Sequence, residues 1–244
     1  MERTLLFQVQ RGLLTALART VSIDPTRPSI NDISLSVDLD KRVLQCASTD
    51  TRRLSVATLP FRDESFGPQY GPSARRTQKV SGQPIALEAY VNDAYYREHE
   101  DVACTLCLAV RACAPWLALA GTRDPVSVYR VIDGDAVDFV LGIGHSAAER
   151  SKRVGEFFVP FPCSGGTFPV YQRVLDTLTQ GSVAGIAING AYLRDAHAFY
   201  RDLLGKLFTG KLNFAFGEKA ASPIVVTNEL CYGVMQVIMP MVEL

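Results

Sequence analysis

One pattern occurs three times along this chain, and it restricts the possible folds more than any other feature of the sequence. Each copy starts with a stretch whose apolar residues recur at helical spacing, and continues with short strands in which apolar and polar residues alternate. In the first copy, Leu13, Leu14 and Leu17 mark the helix, and residues 33–39 form the clearest strand. No copy can bury its apolar sheet face alone, so we predict an α+β fold of repeated units of roughly 60 residues with helices on one face of antiparallel sheets.

The elements of each copy follow from the same two periodicities. For the first copy we predict a strand leading into a helix over residues 5–21 and strands at 33–39, 43–47 and 53–59. For the second we predict a helix at 105–119 and a hairpin of strands 126–132 and 137–141 around Asp133-Gly134-Asp135. For the third we predict a helix at 192–207 and strands at 212–216, 224–226 and 232–239. Between the first two copies, residues 61–82 predict an exposed loop and residues 86–96 a short helix.

The charge balance limits how this chain could bind nucleic acid. Among 244 residues, 25 Lys and Arg offset 25 Asp and Glu, so the formal net charge is zero. A protein that binds DNA simply by being basic overall is excluded, whereas a local basic face is not. With 48% hydrophobic and 20% charged residues, the composition is that of a globular chain of one large or two small domains.

None of the short motifs predicts catalysis, a metal or a cofactor. The stretch from Gly205 to Leu212 has almost the spacing of a phosphate-binding loop, but Leu212 stands where that loop needs Ser or Thr. Cys104 and Cys107 form one CxxC pair, whereas a structural zinc site usually needs a second. The stretch around Ser146 is not a nucleophile elbow. We therefore predict a protein without enzymatic activity.

The six cysteines and the hydropathy profile indicate a cytoplasmic protein. The cysteine spacing is not that of a small disulfide scaffold, so we interpret the cysteines as reduced thiols. No stretch reaches the roughly 18–20 apolar residues of a membrane helix, and the N-terminus does not resemble a signal peptide.

Basic residues recur on the three predicted helices. If these helices share one surface, that surface would contact DNA phosphates without reading sequence. The alternative is ordinary helix polarity, because Asp195 and Asp202 interleave with the cations of the third helix. The candidate DNA-binding residues are Arg11, Arg19, Arg111, Arg194, Arg201 and Lys206.

Three separated stretches, read together, resemble the bacterial β sliding clamp, the processivity subunit of replicative DNA polymerase. Residues 47–56, Ala-Ser-Thr-Asp-Thr-Arg-Arg-Leu-Ser-Val, are similar to the Ala-Thr-Asp-Gly-His-Arg-Leu-Ala-Val signature of the middle clamp domain. Residues 168–175, Phe-Pro-Val-Tyr-Gln-Arg-Val-Leu, resemble the Phe-Pro-Asp-Tyr-Arg-Arg-Val-Leu segment that links the last two domains. Residues 237–241, Val-Ile-Met-Pro-Met, resemble the end of the family's chain.

The resemblance implies a site for the short hydrophobic peptides by which polymerases, the clamp loader and repair proteins bind clamps. Apolar and flexible side chains would line an adaptable groove, and Arg53 and Arg173 would hold peptide carbonyls or an acidic flank. The implied peptide-binding residues are Ile30, Thr49, Thr51, Arg52, Arg53, Leu54, Pro169, Arg173, Val174, Val237, Ile238, Met239, Pro240 and Met241.

The resemblance also implies a domain division and shows departures from the family. Residues 1–165 correspond to the middle clamp domain with an insertion at about 61–103, residues 166–184 to a linker, and residues 185–244 to half of the last domain. The family's Gly-His pair is replaced by Thr51 and Arg52, and the family's first domain has no counterpart.

Two hypotheses follow from the resemblance. The first is a shortened, non-catalytic sliding clamp that serves DNA replication as a processivity factor of polymerase III type, forms oligomers, binds partner peptides and contacts duplex DNA. The second is an adaptor or decoy that does not form a ring, binds the same peptides and modulates a full-length clamp.

Overall fold

The structure, a computed structural model, describes residues 2–62, 87–99, 102, 105–118, 124–134, 136–144, 156–160, 167–176, 178, 187–219 and 221–240. The strands are β1 (Glu2–Gln10), β2 (Ile33–Asp38), β3 (Val43–Thr49), β4 (Arg53–Arg62), β5 (Ala89–Val91), β6 (Thr105–Leu108), β7 (Pro125–Asp133), β8 (Ala136–Gly144), β9 (Glu156–Pro160), β10 (Asn213–Ala215), β11 (Ile224–Thr227) and β12 (Val234–Ile238). The α-helices are α1 (Arg11–Leu17), α2 (Asp93–Glu98), α3 (Val110–Leu117), α4 (Gln172–Asp176) and α5 (Gly190–Leu204).

The strands join into one connected sheet whose order explains why the pattern is repeated. The main path runs β10-β11-β12-β4-β5-β1-β7-β8-β9, and β3, β2 and β6 continue from β4. A strand precedes the helix in each of the first two copies: β1 in the first and β6 in the second. Strand β1 pairs with β7, the first strand after the helix of the second copy. Strand β6 pairs with β2, the first strand after the helix of the first copy. The two copies are therefore interlocked in one sheet.

Helices α1, α3 and α5 lie on one face of this sheet, above the main hydrophobic core. Helix α1 contacts both α3 and α5. The largest fully buried side chains of this core include Tyr200 and Phe199 of α5, Phe7 of β1 and Leu14 of α1. The expected α+β fold class is confirmed. Helix α4 is an exception to the expected one-face arrangement, because its Leu175 packs on the other face, against the group that includes Leu54 and Val237.

Two predicted helices begin later than expected. Residues 105–108 form strand β6, not the start of a helix, because Leu106 and Leu108 are buried on one face and Thr105 is exposed on the other. Residues 89–91 form strand β5, and helix α2 begins at Asp93 because Asn92 caps it by accepting a hydrogen bond from the Tyr95 N–H. Strand β9 is absent from the prediction altogether.

Part of the predicted insertion belongs to the sheet. Strand β5 pairs antiparallel with β1 and parallel with β4, so it connects the two halves of the sheet. The predicted loop at 61–82 lies outside the described residues except for the end of β4. Helix α4 lies within the predicted linker. The division into three segments stays a prediction.

The third copy docks on the first through a glycine at the turn before β12. Gly233 has φ of 72°, and its carbonyl accepts a hydrogen bond from the Thr58 N–H at 2.8 Å. A Cβ at this position would lie 2.6 Å from the Thr58 carbonyl oxygen.

None of the described helices has the length and apolar character needed to cross a membrane.

Replacing Gly233 by alanine is expected to lower the free energy of unfolding by about 2–4 kcal/mol, because left-handed strain of about 1–2 kcal/mol adds to a backbone clash. Gly134→Ala is the matched control, since Gly134 has φ of 62° but no atom within 4 Å of its Cβ position. Urea unfolding of both variants checks this. Equal losses of stability would contradict the role of the close approach to Thr58.

Candidate functional site

The pairing of β4 with β12 brings two of the sequence motifs together. Val237 lies opposite Leu54, and Ile238 lies opposite Arg53. Beyond the end of β12, the Met239 N–H donates to the Arg52 carbonyl at 3.0 Å. The motif at residues 47–56 and the motif at residues 237–241 are therefore adjacent strands of one sheet.

The motif at residues 168–175 lies on the outer face of this pairing, away from helices α1, α3 and α5. Ala47, Leu54, Val56 and Val237 form a small buried group, here called the outer cluster. The side chains that pack against it come mostly from the segment that includes α4: Phe168, Tyr171, Leu175 and Leu178, with Met235 of β12. All three motif segments meet at the outer cluster.

The surface beside the outer cluster is apolar. Val170 is 74% exposed, Met239 41% and Val174 37%. Pro169 and Arg173 are also exposed, and Pro240 is half-buried. Exposed apolar side chains on one side of a junction are a feature of protein-binding surfaces.

Two of the expected peptide-binding residues are almost fully buried. Ile238 is 1% exposed and belongs to the main core, because side chains alternate along a strand and its neighbours Val237 and Met239 take the outer face. Ile30 is 4% exposed, at the end of the 3₁₀ turn Pro28–Ile30. Their roles in peptide binding stay predictions. Met241 lies outside the described residues.

The turn between β3 and β4 forms one wall of the junction. Thr51, at the position of the family's glycine, has φ of 77°, a conformation that L residues rarely adopt. The Thr49 hydroxyl accepts from the Thr51 N–H at 3.1 Å and donates to the Arg53 carbonyl at 2.7 Å. Asp50 accepts from the N–H groups of Arg52 and Arg53. These hydrogen bonds hold the turn, and Arg52 stays exposed.

Arg53 is engaged within the chain. Its guanidinium donates to Asp50 at 2.7 Å and to Asp195 of α5 at 2.6 Å, and it lies 5.1 Å from the Tyr192 ring centre. Its side chain is only 11% exposed. Arg53 thus ties the turn to helix α5, and we assign it to the framework of the site. Asp50 and Asp195 are the residues that sequence reasoning left out; no periodicity marks them.

A row of buried hydroxyl and amide groups supports the junction from the helix side. Gln236 of β12 donates to Ser55 of β4 at 2.9 Å, and Ser55 shares a hydrogen bond of 2.6 Å with Thr20. Ser48 donates to the Leu17 carbonyl at 2.8 Å. Because these groups satisfy one another, they can be buried without a large desolvation cost.

Burial raises the pKa of two side chains at this junction, Tyr171 on the outer face and Cys46 on the core side. Burial raises the pKa of Tyr171, so its hydroxyl stays protonated and donates to the Gln45 side-chain oxygen at 3.3 Å. Burial raises the pKa of Cys46, which lies on the core side of β3, to about 12. Neither group is prepared for acid–base or nucleophilic chemistry.

The candidate DNA-binding residues divide into paired and exposed groups. Arg19 forms an ion pair with Asp202, and Arg11 donates to the Leu117 carbonyl at 2.8 Å. Arg111 lies in α3. On helix α5, the exposed basic residues are Arg194, His197 and Arg201, with Lys206 beyond its end.

The acidic residues of α5 do not neutralise this exposed stripe. Asp195 turns to Arg53 and Asp202 turns to Arg19, so both carboxylates are used where α5 meets the first copy. Arg194 and Arg201 are seven residues apart, which places them on one side of the helix.

In the described part of the chain, His, Cys, Asp and Glu form no group that could hold a metal ion.

Solved bacterial sliding clamps resemble this structure along its whole length. The Bacillus subtilis DNA polymerase sliding clamp aligns with 100% of this chain and 65% of its own, at 14% identity and a TM-score of 0.58. The Helicobacter pylori β clamp bound to a DNA ligase peptide aligns with 98% of this chain and 66% of its own, at 12% identity and a TM-score of 0.57. This chain has the fold of the bacterial β sliding clamps.

The resemblance to sliding clamps expected from the three motifs is thereby confirmed at the level of the fold. A third clamp, from Pseudomonas aeruginosa, aligns with 100% of this chain and 68% of its own, at 14% identity and a TM-score of 0.53. No protein-family model matches the sequence, and no curated protein matches it. The chain spans less than two thirds, 65%, of the length of the B. subtilis clamp.

Removing the Arg53 side chain is expected to destabilise this clamp fold at its junction. Arg53→Ala removes the ionic partner of Asp50 and Asp195, so the free energy of unfolding should fall by about 2–4 kcal/mol. Arg173→Ala, at an exposed arginine, should change it by less than about 0.5 kcal/mol. Urea unfolding followed by circular dichroism measures both. A loss for Arg53→Ala no larger than for Arg173→Ala would show that the ion pairs do not hold the junction.

Proposed function

We propose that this protein is a non-catalytic, sliding-clamp-like processivity factor of a DNA polymerase. It binds short hydrophobic peptides of polymerases and repair proteins at the outer cluster and contacts duplex DNA through helix α5. The observation that carries this proposal is the meeting of the three motif segments at one junction with exposed apolar side chains. The clamp fold supports it.

The chemistry of the junction suits an apolar peptide. Val174, Val170 and Met239 offer surface that a partner's Leu or Phe side chains would remove from water. Methionine adapts its shape to different side chains, which suits a site that receives several partners. Because Arg53 is committed within the chain, the exposed Arg52 and Arg173 are the cations left to meet an acidic flank. One solved neighbour carries a DNA ligase peptide.

The proposed DNA contact rests on the exposed side of α5. Arg194, Arg201 and Lys206 are exposed, and the two aspartates of the helix are turned to other partners. Such a stripe binds phosphates without reading bases. A chain of zero net charge can therefore present a basic surface to a duplex.

Truncation of Met239 is expected to weaken peptide binding. A fluorescein-labelled H. pylori DNA ligase peptide should bind the wild type saturably in fluorescence anisotropy, and Met239→Ala should raise its Kd about tenfold through lost apolar contact. Tyr232→Ala removes another exposed side chain, 70% exposed, and should leave Kd within about twofold. Absence of saturable binding to the wild type, or equal Kd values for both variants, would refute the peptide site.

Charge reversal on α5 is expected to weaken DNA binding. The double variant Arg194→Glu/Arg201→Glu should bind a labelled 30-base-pair duplex at least about tenfold more weakly at low salt. The slope of log Kd against log salt should fall by about 2, since two phosphate contacts are lost. Lys219→Glu/Lys41→Glu makes the same charge change at exposed positions outside the helix. Equal effects of the two double variants would show that only net charge matters.

A further inference from the structure

A groove of about 550 Å³ lies on the outer face of the sheet, beside the outer cluster. Its floor consists of Ser34 and Ser36 of β2, Gln45 of β3, and Thr105 and Cys107 of β6. Its wall is the segment of residues 167–172, which leads into α4. The groove is large enough for a ligand of several residues, because ligand sites typically measure about 300–1,000 Å³. None of its floor residues belongs to the peptide site proposed above.

The floor is polar because the neighbouring strands β3, β2 and β6 each place polar side chains on the outer face of the sheet. Ser34 lies opposite Cys107, and Ser36 lies opposite both Thr105 and Gln45. The Ser36 and Thr105 hydroxyls are 3.0 Å apart, and the Tyr171 hydroxyl donates to Gln45 from the wall. The intervening side chains, such as Leu35, fill the main core. The groove thus combines a hydroxyl- and amide-lined floor with an aromatic wall.

The groove carries no charge. Its eleven described lining residues include no Asp, Glu, Lys, Arg or His. A charged ligand group would find no ionic partner among these residues. Hydroxyl and amide groups can both donate and accept, so they match neutral polar groups such as those of Ser, Thr, Asn and Gln. The chemistry of the groove favours an uncharged polar ligand.

The wall of the groove is continuous with the candidate peptide site. Phe168 and Tyr171 line the groove and also pack against the outer cluster. Pro169 and Val170, exposed beside that cluster, line the groove as well. The groove and the candidate peptide site therefore share one wall.

We propose that the groove binds the uncharged polar residues, rich in Ser, Thr, Asn or Gln, that flank the apolar anchors of the same partner peptide. This proposal rests on the proposed peptide-binding function and adds a specificity determinant to it. The apolar junction provides most of the affinity, and the neutral groove selects what lies beside the anchors. Peptides with charged flanks on that side bind without using the groove.

Cys107 provides a direct report of groove occupancy. It lies on the groove floor and is half-buried, whereas Cys46, Cys113 and Cys231 are buried. Burial raises the pKa of these three thiols to about 12, 11 and 12, respectively, so they stay protonated and unreactive at pH 8. Alkylation at Cys107, located by mass spectrometry, therefore reports on access to the groove.

The test uses the full chain and five peptides: the H. pylori ligase peptide, the same peptide with Ser-Gln-Thr-Gln added at either end, and the same peptide with Glu-Lys-Glu-Lys added at either end. We expect the neutral extension at one end to lower Kd about fivefold. The charged extension at that end should give no gain. The peptide with the favourable neutral extension should also slow iodoacetamide alkylation of Cys107 at least fivefold, whereas the ligase peptide itself should not.

Two matched variants locate the effect. Thr105→Trp fills the groove at an exposed strand position that accepts large side chains, and it should abolish the gain from the neutral extension while leaving Kd for the ligase peptide within about twofold. Val137→Trp, at an exposed position on β8, should retain the gain. If the ligase peptide binds but neither neutral extension improves binding or protects Cys107, the groove proposal is wrong. If the ligase peptide itself does not bind, the proposed function fails instead.

Discussion

Antiparallel pairing of β4 with β12 is the interaction on which the rest of this structure depends. It joins a strand from the first quarter of the chain to one at its end, in a register that places Leu54 opposite Val237. A shift of β12 by one residue would turn Val237 toward the core and Ile238 outward, because side chains alternate along a strand. Arg53 reinforces the register from one side, and the hydrogen bond between Met239 and Arg52 continues it beyond the strand.

The same junction explains how a neutral chain can present a basic surface. The two aspartates of α5 are seven residues apart and lie on the side of the helix that faces the first copy, where Arg53 and Arg19 meet them. The arginines at 194 and 201 are left on the exposed side. Ion pairs that hold α5 in place thus also separate its charges, so packing and surface potential share one cause.

The periodicity of the sequence was a reliable guide where one element was long and half-buried. The alternation of Ile33, Leu35 and Val37 with serines predicted β2, and the helical spacing of Leu203 with Tyr200 and Ala196 predicted α5. It failed at short elements. Strand β6 has four residues and is followed almost directly by α3. A stretch of sequence long enough to show helical spacing therefore includes both elements. Strand β5 has three residues and depends on its pairing with β1 and β4.

The sequence by itself determined the repeated unit of a helix followed by strands, and the three segments that resemble clamps. Both depend only on residue identity and on spacing between nearby residues. Only the tertiary structure decided which side chains face outward at the junction. In the folded chain Ile30 and Ile238 are buried, and Arg53 forms ion pairs with Asp50 and Asp195. Some of the basic residues are paired, and others are exposed. The tertiary structure also formed the neutral groove from serines and a threonine that are up to 71 residues apart in the chain. Such choices depend on strand register and helix packing between distant segments, which no local pattern contains.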